Sequence, residues 1–215
     1  QNPPQKNPND TLYAYNPVTF KTMECEWDHN NTLQKSGMSV RRYKVSNKTF
    51  QSKMTNPANE AFYMDRWDGV LNLTSIQGAP VFLSKLHYLD ADPALQSAVS
   101  IYNDEAKTQK ATPNADEDSY FDIEPLTGVM FQQELNLQTG HYIKGDELYP
   151  MTFDGLFPIF AIQGGGGLSE ETIAAQFGIL KTALVLLKIA LPITLTISMI
   201  MLAIGICLYI KSKDV

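Results

Sequence analysis

"SYFDIEPLTG", residues 119–128, sets two carboxylates, Asp122 and Glu124, one residue apart, ahead of Pro125, Thr127 and Gly128. Residues i and i+2 of a strand share a face, so the pair fits an acid/base site in which close carboxylates push one pKa upward. The same letters also spell a hairpin. Tyr120, Phe121 and Ile123 favour a strand, Pro125 presets φ for the first turn position, and Gly128 tolerates the positive φ that closes the loop. Residues 129–138 then alternate, with Val129, Phe131, Leu135 and Leu137 on one side and only Gln133 interrupting it. That alternation favours the turn over the catalytic pair.

Outward from this hairpin, further strands are expected at 38–45, 70–74, 80–89, 119–124, 129–137 and 156–162. "QNPPQKNPND" at residues 1–10 carries three prolines and reads as an extended linker. Residues 104–118, "DEAKTQKATPNADED", read as a solvated loop, since the acids lack the ligand spacing of a calcium loop. "QGGGGLSEE", residues 163–171, has no Lys-Ser/Thr to make a phosphate loop. It reads instead as a flexible connection into a helix with Ser169 as N-cap and Glu170 and Glu171 at the positive end of its dipole. Ile173, Phe177, Leu180 and Leu184 line one face of that helix.

The helix runs on into "IALPITLTISMIMLAIGICLYI", residues 189–210, a stretch without a charge. At ~1.5 Å per residue it is about 33 Å long, enough for a hydrocarbon core of ~30 Å, and reads as a transmembrane helix. Pro192 is expected to kink it without breaking it, the freed carbonyl being served by Thr194 or Thr196. Lys181 and Lys188 before the span balance Lys211 and Lys213 after it, so the positive-inside rule sets no orientation. The sequons do. Asn9, Asn30, Asn47 and Asn72 each begin an Asn-x-Thr sequence on the N-terminal side of the span, which places that side outside the cytosol and makes N-linked glycans expected attachments.

Residues 1–180 hold 13 Lys and Arg against 22 Asp and Glu, a balance of −9, which argues against a nucleic-acid partner. Two cysteines give no disulfide framework. Cys25 lies in the ectodomain and Cys207 three residues inside the end of the span, too far apart to pair under this topology, leaving Cys25 a free thiol or bonded to another chain and Cys207 a small packing residue or a candidate palmitoylation site. No nucleophile elbow is present, and His29, His87 and His141 lack metal-ligand spacing, so no catalytic residue, metal site or organic cofactor is expected.

"GMSVRRYKV" (37–45), "NPANEAFYM" (56–64), "GVLNLTSIQGAPVFLSKLHYLDADP" (69–93), "YFDIEPLTG" (120–128) and "LFPIFAI" (156–162), followed by the membrane helix, stand in a telling order. In order and spacing the chain from residue 37 to 215 resembles the C-terminal half of class B scavenger receptors of the fatty-acid translocase and lysosomal integral membrane protein type. Asp122-Ile123-Glu124-Pro125-Leu126-Thr127-Gly128 matches the family's signature most closely. The resemblance implies a mainly β fold: an antiparallel β-barrel-like ectodomain with short helices, then one C-terminal transmembrane helix, with a hydrophobic tunnel through the barrel. It implies a receptor that binds lipid, lipoprotein or protein ligands and moves lipid, in the plasma membrane or an endosomal or lysosomal membrane. The sequence departs from the family at Leu86, where a proline precedes the His-aromatic pair, and near residues 56–64, where the family's cysteines are missing.

The organisation expected is an extended segment at 1–36, the β ectodomain at 37–168, a juxtamembrane helix at 169–187, the span at 188–210 and a cytosolic tail at 211–215. Open strand edges of a half barrel need covering, so the N-terminal half of the same protein is an expected partner, with other membrane-complex subunits as the alternative. Within 80–89, period-2 alternation sets Phe82, Ser84, Leu86 and Tyr88 on one face, making Phe82, Leu86 and Tyr88 candidate tunnel residues, although the same residues also suit a solid core. A solid core would fit a structural or adhesive subunit in place of a lipid carrier.

Overall fold

The computed structural model describes residues 11–16, 21–62, 67–98, 100, 102, 112–144 and 155–213. It divides into two compact units, residues 1–34 with 39–168, and residues 35–38 with 169–215.

The first unit is one antiparallel sheet. Its strands are β1 (Leu12–Asn16), β2 (Lys21–Lys35), β3 (Met38–Val45), β4 (Val70–Asn72), β5 (Phe82–Lys85), β6 (Tyr120–Ile123), β7 (Met130–Ile143) and β8 (Gly155–Gly167). The order is β1-β2-β3-β6-β7-β5-β4, and β8 pairs with β7. β7 organises the sheet: residues 130–134 pair with β6, 137–140 with β5, and 132–143 with β8. Two short helices, α1 (Thr74–Gln77) and α2 (Pro93–Ala98), join the strands. One buried cluster gathers Cys25, Tyr43, Leu71, Leu83, Phe121 and Ile123, and a second gathers Val70, Phe82, Tyr88, Ala91, Leu95 and Leu156.

Three sequence expectations change. β1 and β2 lie in the stretch read as an extended segment; Met23, Cys25 and Trp27 alternate with polar neighbours there, and the first two are buried. The glycines at 164–167 are not a flexible connection but the end of β8, paired with residues 132–135 of β7. A Cβ at Gly167 would lie 2.7 Å from the Phe131 carbonyl oxygen and one at Gly165 3.0 Å from that of Gln133, so glycine permits this close pairing. The strand expected at 80–89 stops at Lys85, because Leu86–Tyr88 forms a 3-10 turn with His87 and Tyr88 at φ of 53° and 58°. The linker expected at 1–10 lies outside the described residues.

The second unit is dominated by α3 (Glu170–Lys213), about 66 Å long at ~1.5 Å per residue. Ser169 caps it by accepting from the Thr172 N–H at 3.2 Å, and Glu170 and Glu171 occupy the first turn. Ile173 and Phe177 are buried. The Lys181 ammonium donates to the Ser36 carbonyl at 3.0 Å. The helix continues through Pro192, and the carbonyl that proline frees is that of Lys188. Thr194 donates instead to the carbonyls of Ala190 and Leu191, and Thr196 to that of Pro192, so hydroxyls in this apolar stretch are satisfied on their own helix. α3 is long and apolar enough to cross a membrane.

Candidate functional site

The signature turn is built by side chains with separate tasks. Arg42 of β3 stands opposite Asp122 of β6, and the guanidinium meets the carboxylate in a two-point pair of 2.8 and 3.0 Å. The Tyr120 ring lies 3.6 Å from the guanidinium carbon, and the Asp122 hydrogen bond raises the Arg42 pKa above its ordinary value. Glu124, 2% exposed, engages its own turn instead. Its carboxylate accepts from the Leu126 N–H at 3.0 Å, the Thr127 N–H at 2.7 Å and the Thr127 hydroxyl at 2.6 Å. The Gly128 N–H donates to the Glu124 carbonyl at 2.9 Å, and Gly128 takes φ of 71°. The two carboxylates thus do not form an acid/base pair: one locks strands, the other caps the turn.

That turn borders a cavity of about 620 Å³. Its lining includes Leu12, Ala14 and Tyr15 of β1, Met23 of β2, Leu83 of β5, Leu135 of β7 and Ile162 of β8, together with Gly128 and Val129. Two amides also contribute, Asn16 and Gln133, and the Asn16 amide donates to the Met23 thioether at 3.8 Å. An apolar wall with few polar groups is the composition that holds a hydrophobic small molecule and orients one polar end. Gln133, the residue that interrupts the apolar side of β7, is therefore a cavity residue, and its misfit was the sequence signal for it.

The candidate tunnel residues lie elsewhere. Phe82 and Tyr88 pack in the second buried cluster, the Tyr88 hydroxyl donates to the Leu156 carbonyl at 2.7 Å, and Leu86 is buried within its 3-10 turn. It is Leu83, on the opposite face of β5, that lines the cavity.

A polar cluster lies at the far end of β5. The Lys85 ammonium is buried and donates to Asn47 Oδ1, Asp90 Oδ2 and Asp118 Oδ2 at 2.9, 2.9 and 3.0 Å. Burial raises the Asp118 pKa and Lys85 works against that rise. Asp118, expected in a solvated loop, is thus buried against an ammonium. His87 Nδ1 lies 3.0 Å from Glu117 Oε2.

Of the sequons, Asn9 lies outside the described residues, and Asn30 is on β2 with its side chain outside them. Asn47 is exposed at the start of a 3-10 turn, and Asn72 ends β4, its Oδ1 accepting from the Thr74 N–H at 2.9 Å. Cys25 is a free thiol, wholly buried, which pushes its pKa up to about 12. The side chain of Cys207 lies outside the described residues. Among the described residues no group of three His, Cys, Asp or Glu side chains could hold a metal.

Comparison with known proteins gives consistent matches. The family model described as the CD36 family matches residues 1–209, so the stretch before residue 37 lies within the family's range. Scavenger receptor class B member 1 of Sus scrofa is 26% identical over 220 residues, which cover 98% of this chain and 40% of that protein. The protein of the same name from Mus musculus is 30% identical over 143 residues, 66% of this chain and 26% of that protein. Lysosome membrane protein 2 of Rattus norvegicus is 26% identical over 188 residues, 84% of this chain and 37% of that protein. The chain spans at most 40% of the length of these curated relatives.

Proposed function

Since the chain belongs to the CD36 family, we propose that this membrane protein of class B scavenger receptor type binds lipid, with the apolar portion of one lipid molecule in the cavity beside the signature turn. The observation that carries the reading is the cavity: about 620 Å³, lined mainly by apolar side chains, with the Asn16 and Gln133 amides and the residues Tyr13 and Tyr15 among its polar groups. An acyl chain gains by leaving water, at about 25 cal/mol per Å² of apolar surface buried, while an amide can bond a carbonyl or hydroxyl at its end. The chemistry is binding and release without a covalent step. The sheet unit stands on the extracellular or luminal side, where the sequons lie, and α3 tethers it to the bilayer.

Mass spectrometry of lipid extracted from the purified full-length protein tests this. The expected result is a lipid present in stoichiometric amount and lost when Ala14, on the cavity wall, is replaced by Trp. Absence of lipid, or lipid unaffected by Ala14→Trp in a folded protein, overturns the reading and favours a structural subunit.

A further inference from the structure

A second pocket, of about 350 Å³, lies around the Lys85 cluster and is polar. Asn47 forms part of its wall, together with Lys44, Lys48, Gln51, Glu26 and Asp90. We propose that this pocket seats the first sugar of an N-linked glycan carried by Asn47, so that the glycan's base is part of the folded surface. The proposal rests on the outward orientation of the sheet unit given above.

Three observations converge on a sugar. First, the pocket's charges balance: Lys44, Lys48 and Lys85 stand against Glu26, Asp90 and Asp118. A free anion or cation would meet equal numbers of both signs, whereas a neutral polyhydroxyl, each group donor and acceptor at once, uses both. Second, Asn47 is held in place. Its Oδ1 accepts from the buried Lys85 ammonium at 2.9 Å, so the carboxamide oxygen points to the pocket's interior side. A glycosylated carboxamide is a planar secondary amide in its trans form, with the sugar carbon on the same side as the oxygen. Fixing the oxygen on Lys85 therefore directs the sugar's first carbon toward the pocket. Third, the pocket is at the small end of ligand-site sizes, which suits one ring and not a chain.

The Thr49 hydroxyl of the same sequon is buried and donates to the Glu24 carbonyl at 3.5 Å. Attachment must then precede folding of this segment, and the sugar is enclosed as β2 and the Asn47 turn come together. Asn72 provides the contrast, since it ends β4 at an edge of the sheet with its amide oxygen engaged by the next turn.

The test measures peptide-N-glycosidase release, site by site by glycopeptide mass spectrometry, from the full-length protein made in a eukaryotic secretory host. Release at Asn47 is expected to be about tenfold slower in the native than in the denatured protein, as for a group freed only by local opening. Lys48→Ala combined with Gln51→Ala, an exposed and a half-buried residue of the pocket wall, is expected to remove most of that protection. Release from native Asn47 at its denatured rate overturns the proposal, as does protection that survives the double substitution. An unoccupied Asn47 beside an occupied Asn72 or Asn30 overturns it alone, whereas no sugar at any sequon overturns the outward orientation with it.

Discussion

Glu124 and Gly128 are the two residues on which the signature turn depends, and they fail in different ways when changed. Gly128 sits at φ of 71°, where a β-branched side chain is a misfit costing on the order of 1–3 kcal/mol, so Gly128→Val should lower the unfolding midpoint in a thermal melt. An exposed glutamate would tolerate Glu124→Gln almost freely, and the sequence alone invites that reading. Burial reverses it. With the carboxylate accepting three hydrogen bonds, Gln puts an NH2 against a donor, and about 1–3 kcal/mol should be lost. A melt of Glu124→Gln that overlays the unaltered protein would contradict the capping role. Cys25 makes a pH prediction. Its folded pKa is raised from 9.0 to about 12, so the fold favours the thiol; that stability is whole below pH 9 and is lost as pH rises toward 12. The stability difference from Cys25→Ala should therefore be flat below pH 9 and shrink above it. Iodoacetamide should label Cys25 only in denaturant.

At the scale of elements, legibility followed local pattern. β3 was readable to its ends, and β6 and β7 at their hairpin, because short runs of β-branched and aromatic residues were bounded by turn letters. β8 ran on through four glycines, which carry no propensity for a strand; the paired edge of β7 supplies what propensity lacks. β5 was overextended, since nothing local marks Lys85 as a stop. What stops it is tertiary: three acceptors converge on its ammonium from Asn47, Asp90 and Asp118, and the chain turns through His87, Tyr88 and Asp90 at positive φ to make that possible. Lys85→Ala should cost about 3–5 kcal/mol, because it leaves Asp118 buried without its cation. Lys85→Met with Asp118→Leu should recover most of that loss, since both charges are gone. Additive losses in the double variant, read by thermal melts, would show that the pair is not the end of β5 that we describe.

For the molecule as a whole, the question is whether its apolar interior is space or packing, and the two faces of β5 answer differently. Leu86 and Tyr88, which alternation sets on one face with Phe82 as either tunnel lining or solid core, lie beyond the strand's end and are buried, whereas Leu83 on the other face meets open volume shared with Leu135. The cavity was out of reach of pattern reading because one wall is β1, a five-residue strand among prolines whose pairing with β2 only the folded chain displays. Substitution by tryptophan separates space from packing. At Leu86, 6% exposed, the larger ring must displace neighbours, so Leu86→Trp should lower stability by about 1–3 kcal/mol and leave the affinity for a fluorescent fatty acid unchanged. At Leu135, only partly buried on the cavity wall, the ring has room, so Leu135→Trp should melt within ~0.5 kcal/mol of the unaltered protein and bind the same probe several-fold more weakly. If Leu135→Trp is as destabilising as Leu86→Trp and binding is untouched, the volume beside the signature turn is not a ligand site, and the sheet serves this membrane protein as scaffold alone.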